Sequence, residues 1–333
     1  MNKRQLLQGL AASLWATAGA GAGGAAAGES TSADGDWAAS TRVLGTALLA
    51  QQAEGNAVIS PLSLWGALAM LFAGARGDTA LALARALQMP NRIAAFAQGW
   101  RQAEALRQST SPQLQLLMAN RLWLQNGEAV LPAFEQALQQ GFGAELMRAP
   151  FASAPEAARQ DINTWVARQT AQRIQNLLAP GSVTPLTRLV LGQAVYFKAA
   201  WRYAFERAHT RDGTFTLANG QAVQLPFMHQ ARKHLAGPWQ SGDVQAQLIE
   251  LPYADEALRM LILLPRQAAH LPQMLALLRQ DWRQHLSMRQ VTLSLPRWKA
   301  RSELSLQSGL TALGMGRLFD ARLADLSGVN GRR

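Results

Sequence analysis

The chain has 333 residues, 49% of them hydrophobic and 16% charged, which is enough apolar sequence for a large core in one domain or two and fits a folded rather than a disordered chain. Lys and Arg outnumber Asp and Glu by 32 to 21, a formal net charge of +11, and cysteine is absent. Disulfides, thiol catalysis, Cys-ligated metals and lipid attachment at cysteine are thereby excluded.

Residues 1–27 read as an export signal: Lys3 and Arg4 give a positive start, Leu6 to Trp15 a short apolar stretch, and Ala25-Ala26-Ala27 a small-residue cleavage site. The apolar part is too short and too rich in Ala and Gly to span a bilayer. The expectation is an exported protein, periplasmic or extracellular. Residues 28–36 form a small polar linker, and 37–333 remain for the folded domain.

Trp37 to Gln52 has helical periodicity. Ser60 followed by Pro61 is a helix start, with the hydroxyl as cap and Pro at a position whose amide would be unpaired anyway. Leu64, Leu68 and Phe72 then recur at helical spacing, while Gly66, Ala67, Ala69 and Ala73 allow close backbone approach. Gly74 is expected as the left-handed terminator, and Asp78-Thr79 as the cap of a second helix, Ala80 to Leu87, stopped by Pro90. Further helices are expected at Phe96–Leu106, Leu131–Gly141 and Ala154–Arg168, with Leu114–Trp123 an apolar run turned by Asn126-Gly127.

Strands dominate the second half. Leu186 to Lys198 is nearly continuous apolar sequence, which reads as a strand buried on both faces. Thr214 to Leu225 alternates around Asn219-Gly220, a type I′ hairpin signal. Ala246–Leu251, Leu258–Leu264 and Val291–Ala300 are expected strands. Leu271–His285 is an expected helix with Leu275, Leu278 and Trp282 inward, and Leu304–Leu313 a helix ended by Gly314. Helices first and strands later, without βαβ alternation, indicate the α+β class.

Catalytic patterns are missing: there is no G-x-S-x-G, S-x-x-K, H-E-x-x-H or P-loop. The five histidines are scattered, and His229 and His234 flank Arg232 and Lys233, a poor setting for a cation, so neither an enzyme nor a metal or cofactor site is expected. The basic excess suggests weak polyanion binding. However, Arg92, Arg101 and Arg107 do not share a helical face, and the alternating Arg297, Lys299 and Arg301 read better as a solvated strand face. Nothing points to nucleic acid or membrane.

The segment Asn56 to Thr79, with its Ser60-Pro61-Leu62-Ser63 and Gly74-Ala75-Arg76-Gly77-Asp78-Thr79 runs, resembles the helix B to helix C region of the serpins. Ile162-Asn163-Thr164-Trp165-Val166, the run Thr187 to Lys198 with Trp201, Leu251-Pro252-Tyr253, Leu295-Pro296-Arg297-Trp298 and Ala324-Asp325-Leu326-Ser327-Gly328 continue the likeness. It runs from Trp37 to Val329. The resemblance implies an α+β fold of about eight helices over three β-sheets. It also implies inhibition of serine-type, or cysteine-type, endopeptidases by insertion of a cleaved bait loop into the largest sheet, in a monomer. By position, Ser60, Ser63 and Gln193 match the shutter beneath the sliding strands, Gln193 standing where the family usually has Asn, and Trp201 matches the breach. The family's late hinge, bait loop and final strands have no counterpart before Arg333. On that ground the expectation is a C-terminally truncated serpin, without its reactive-centre bond, inactive as an inhibitor and prone to aggregate. The alternative is an exported, non-inhibitory binding protein for a polyanion or protein partner.

Overall fold

The computed structural model describes residues 36–51, 56–105, 113–217, 219–255, 258–300, 306–320 and 322–332. The expected export signal and all but the last residue of the expected linker lie outside them.

The first half is helical. α1 (Trp37–Ala50) is capped by Asp36, whose carboxylate accepts the Ala38 and Ala39 amides at 2.9 Å. α2 (Pro61–Gly74) starts as its sequence predicts: the Ser60 hydroxyl accepts the Ser63 amide at 3.3 Å and Pro61 opens the first turn. α3 (Gly77–Ala86) and α4 (Ile93–Ala105) follow. α2 is buried on most sides and forms the spine of the main core, with Trp65, Ala69 and Met70 almost wholly enclosed. Trp65 stacks on Phe96 of α4 at 5.9 Å, and Phe96 stacks on Phe72 at 4.2 Å.

Gly74 is not the left-handed terminator. It is helical, and the extended Ala75 ends the helix. Gly is needed there for space, since a Cβ would lie 2.5 Å from a methyl of Val329. The positive φ belongs to Gly77, at +50°. Asp78 and Thr79 do not cap α3 either. Asp78 pairs with Arg317 at 3.1 Å, and the Thr79 hydroxyl accepts the Asp325 amide at 2.9 Å. Both serve to dock the late segment that ends in α9 (Ser327–Asn330), which the Leu131 amide also grips through the Val329 carbonyl at 2.8 Å.

β1 (Leu114–Gln125), β2 (Glu145–Ala149) and β3 (Leu189–Ala199) form one sheet in the order β2-β1-β3, with β1 parallel to β2 and antiparallel to β3. Between β1 and β2 runs α5 (Pro132–Gln136), continued by a wider π turn to Gly141. On the even-numbered face of β1, Met118 and Leu122 pack against the α2 core with Leu189 and Leu191 of β3. The opposite face is covered by α6 (Pro155–Gln169), where Trp123 meets Trp165 edge-on at 5.0 Å.

β4 (Arg211–Thr216), β5 (Ala222–Ser241), β6 (Val244–Pro252), β7 (Arg259–Pro265) and β8 (Ser287–Pro296) are linked through β5. The first part of β5 pairs with β4 and β8, and its last six residues pair with β6, which pairs with β7. The long strand is thus shared by two sheets, giving three sheets in all beside nine α-helices among the described residues. α7 (Leu271–Met274) and α8 (Gln307–Leu310) complete the helices.

Several expectations change in detail. The hairpin exists, but its loop is longer than a two-residue type I′ turn: the Leu217 amide donates to the Gln221 carbonyl, and the Gly220 amide, at φ +83°, donates to the Leu217 carbonyl. Asn219 spends its side chain on the Gln221 amide. Leu271–His285 is no continuous helix. α7 tightens into a 3₁₀ turn at Leu275–Arg279, and after a break at Gln280 a second turn begins, capped by Asp281. Leu275, Leu278 and Trp282 are nonetheless buried as expected. The last expected strand starts earlier, at Ser287, and stops at Pro296, so Arg297 and Lys299 lie beyond it. Gly314 does end its helix, at φ +89°.

Candidate functional site

β3 differs from its sequence-based expectation in a way that matters. It is half-buried rather than enclosed, because it is the edge strand of its sheet: β1 lies on one side and no strand lies on the other among the described residues. An apolar strand of 11 residues therefore presents a row of unpaired backbone donors and acceptors along one side. Leu186, just before it, is 81% exposed. Such an edge can accept a further strand.

α2 lies beneath this edge. Ser60 and Ser63 stand at its first turn and bond each other, hydroxyl to hydroxyl, at 2.8 Å. Gln193 of β3 lies against Gly66, one turn further on; a Cβ on Gly66 would be 2.5 Å from the Gln193 amide nitrogen. The serines and Gln193 are thus neighbours along α2 but are not hydrogen-bonded, since both Gln193 amide atoms are shut off from water and have no partner. Directly across the strand pair stands Asn120 of β1, whose Oδ1 is buried and unpartnered too. Sequence reasoning missed Asn120. Its signal is a polar residue at an inward position of the otherwise apolar run Leu114–Trp123.

α6 holds the other face. Arg121 of β1 reaches the Trp165 ring, 4.8 Å from its centroid, and pairs with Glu145. The link from α6 to β3 is clamped by Asn163, which both donates to the Leu178 carbonyl at 3.0 Å and accepts its amide at 2.8 Å. Arg159 adds a bond to the same carbonyl at 2.6 Å and pairs with Glu156, whose carboxyl the guanidinium draws down to about 2. The clamp was also missed, although Asn163 sits in the family-like Ile162–Val166 run.

Trp201 stands just beyond the far end of β3, apart from the serines. It bridges to Tyr253, stacks on that ring at 4.7 Å and meets Phe205 edge-on at 6.2 Å. Burial pushes the Tyr253 hydroxyl up to about 12. Nearby, Tyr203 carries the Arg232 guanidinium 3.2 Å over its ring and meets His234 edge-on. His234 is 3% exposed and neither ring nitrogen has a partner. Burial, and then Arg232, hold its pKa below the ordinary 6.5; Arg289 is its cross-strand neighbour. The fold therefore refuses a proton that the unfolded chain accepts, so stability is lost as pH falls through 6.5. Urea midpoints are expected to drop between pH 7.5 and pH 5, and His234→Phe is expected to flatten that slope. An unchanged slope in the variant would exclude His234 as its source.

A strand edge laid over a small-residue helix, under a clamped helix and headed by a tryptophan stack, is the arrangement that the opening motifs resemble. The serpin family model, described as "serine protease inhibitor", matches residues 41–333. The chain belongs to the serpin family. It is 36% identical to leukocyte elastase inhibitor of Bos taurus over 289 residues, covering 84% of this chain and 75% of that protein. It is 34% identical to serpin B6 of Macaca fascicularis, again covering 75% of the relative. Among solved structures, emu ovalbumin (Dromaius novaehollandiae) superposes with a TM-score of 0.83 at 27% identity, covering 90% of this chain and 82% of that one. Native protease nexin-1 with heparin gives 0.79 at 27% identity, over 89% and 83%.

These relatives correct the localisation read from residues 1–27. Leukocyte elastase inhibitor and the B-type serpins are the intracellular branch of the family, so the matches run against an exported, periplasmic or extracellular protein. No helix among the described residues is long and apolar enough to cross a membrane.

Proposed function

We propose that this serpin is the strand-accepting scaffold of a serine-endopeptidase inhibitor, and that β3 is the edge along which the inserted strand adds. The observation that carries the reading is the edge itself: β3 is 11 residues long, mostly apolar, half-buried and unpaired on one side among the described residues. A strand adding there gains main-chain hydrogen bonds along its length and buries alternate side chains against α2 and α6. Ser60 and Ser63 hold the start of α2, Gln193 lies on it under the sliding position, and Trp201 fixes the top of β3 against Tyr253. The relatives' names, among them leukocyte elastase inhibitor, support the endopeptidase as the target class.

The test is strand addition in trans. The full chain is incubated with an N-acetylated peptide of about 14 residues in which small and β-branched residues alternate, and thermal unfolding is followed. At a hundredfold excess over its dissociation constant, a ligand of the folded state adds about 2.7 kcal/mol, which raises the melting temperature by about 4 °C for a domain of this size. No shift at millimolar peptide would overturn the reading.

A further inference from the structure

The geometry points to the Asn126-Gly127 turn as a self-modifying site, where Asn126 loses its side-chain amide to the neighbouring backbone and becomes aspartate or isoaspartate. The chain has three Asn-Gly pairs, at 126, 219 and 330. Glycine, with no Cβ, leaves the following backbone nitrogen open to the asparagine side chain, so all three share one intrinsic weakness. The fold blocks two of them and activates the third.

At Asn219 the side-chain oxygen accepts the Gln221 amide at 3.0 Å. The Gly220 amide, which would have to attack, donates to the Leu217 carbonyl at 2.9 Å. Asn330 repeats the pattern: its side-chain oxygen accepts the Arg332 amide at 2.9 Å, and the Gly331 amide donates to the Ser327 carbonyl at 2.7 Å. Both pairs must give up hydrogen bonds before they can react. Asn126 and Gly127 are exposed, and neither the Asn126 side chain nor the Gly127 amide has a hydrogen-bond partner among the described residues. They are the two central residues of a turn that the Glu128 amide closes on the Gln125 carbonyl at 3.2 Å. Gly127, at φ +80°, fills the position that a type II turn gives to glycine.

The surroundings of this turn also favour the reaction. When the Gly127 N–H loses its proton, negative charge spreads onto the Asn126 carbonyl oxygen, and a donor there stabilises it. Gln125 Nε2 donates to that oxygen at 3.1 Å, and the Ala152 amide orients the same side chain by donating to its Oε1 at 2.8 Å. The carbonyls of Asn219 and Asn330 have no such donor among the described residues. Two guanidiniums flank the turn: Arg148 donates to the Glu128 carbonyl at 2.6 Å, and Arg188 lies 3.6 Å from the Glu128 carboxylate. Their positive charge lowers the cost of an anion at the turn.

The reaction balances with water alone. The Gly127 nitrogen, its proton taken by hydroxide, attacks Asn126 Cγ. The bond from Cγ to the side-chain nitrogen breaks, and that nitrogen takes a proton from water and leaves as ammonia. The five-membered imide then adds water at either carbonyl. Opening at one carbonyl gives aspartate. Opening at the other gives isoaspartate, whose backbone is longer by a carbon. The Gln125 amide donates to the Arg188 carbonyl at 2.8 Å and the Asn126 amide to the Ala149 carbonyl at 2.9 Å. A longer backbone just beyond them disturbs the end of β1 that meets both β2 and the approach to β3.

The full chain is aged at mildly alkaline pH, and its tryptic peptides are followed by mass spectrometry. Asn126 is expected to react about tenfold faster than Asn219 or Asn330, the factor for a hydrogen bond that need not be broken. In guanidinium chloride, where the fold is lost, the three rates are expected to converge. Gln125→Glu keeps the acceptor for Ala152 but loses the donor to Asn126. It is expected to slow Asn126 severalfold and leave the other two sites unchanged. A rate at Asn126 no higher than at the other two in the folded protein would overturn the inference. So would a lead that persists in denaturant, because the sequence alone would then account for it. An unchanged Asn126 rate in Gln125→Glu would overturn the part given to Gln125. The comparison within the unmodified protein decides the matter even if that variant does not fold.

Discussion

Replacing Trp65 with alanine is expected to lower the unfolding free energy by about 3–5 kcal/mol, the range for truncating a fully buried large aromatic. Trp65 is enclosed on every side, 0% exposed. Its ring meets Trp37 of α1 at 6.5 Å and Phe96 of α4 at 5.9 Å, so a single side chain joins three helices. Gly99 of α4 approaches it so closely that a Cβ there would lie 3.0 Å from the ring. Its indole N–H donates to the Ser40 hydroxyl at 2.8 Å, and that hydroxyl donates in turn to the Leu87 carbonyl. Alanine removes the ring, leaves a cavity that close-packed helices cannot collapse into, and strips Ser40 of its donor. Urea unfolding of the pair measures the loss. Trp65→Phe is expected to cost clearly less, because it keeps most of the packing and loses only the bridge. A loss below about 1 kcal/mol for the alanine variant would mean that α1 and α4 repack without it.

α2 was the most legible part of the molecule for the same reason that Trp65 matters. Its cap, its Pro and its small-residue positions are local signals, and each local preference agrees with the fold. Gly66 was visible as a small residue at a close approach, although what approaches it, Trp100 and Gln193, was not. The C-terminal docking was not legible. Gly74, Asp78 and Thr79 carry good termination and capping chemistry, but partners more than two hundred residues later use that chemistry instead. Short-range rules cannot register such competition. β3 shows a different limit. A continuous apolar run reads as buried on both faces, and an edge strand can have the same composition as an enclosed one. The shutter positions Ser60, Ser63 and Gln193 came from likeness to a family. The orphaned amide pair came only from knowing that Asn120 and Gln193 are cross-strand partners.

The two costs on β3 share a location. An edge unpaired among the described residues and an unmet Gln193 amide both lie on the strand that α2 supports and α6 covers. The Asn163–Leu178 clamp lies on the segment leading from α6 into β3, so the cover of that face is tied to the edge strand through a pair of hydrogen bonds.

The strand least visible in the sequence carries the second large effect. No strand was expected across 226–241, a stretch that holds Pro226, the charged pair Arg232-Lys233 and Gly237-Pro238, residues that disfavour a continuous strand. The structure runs β5 through all of them. Ala236 pairs at once with Ser287 of β8 and Ile249 of β6, so here the strand passes from one sheet to the other. At the next residue the chain leading into β8 crosses directly over it, and a Cβ on Gly237 would collide with the His285 carbonyl oxygen. The obstacle is backbone, which cannot rotate aside as a flexible side chain would. Gly237→Ala is therefore expected to cost about 3 kcal/mol, the upper part of the usual range for overpacking, in spite of alanine's better strand propensity. The 3₁₀ turn Trp282–His285 would have to lift from β5, exposing Trp282 and weakening its packing on Leu278 and Leu248. A urea midpoint well below that of the unmodified protein, together with a red-shifted, more quenchable tryptophan emission, is the expected pair of results. A variant as stable as the parent would mean that β5 and β8 can part at the crossing without loss, and that the shared strand does not hold the two sheets in register.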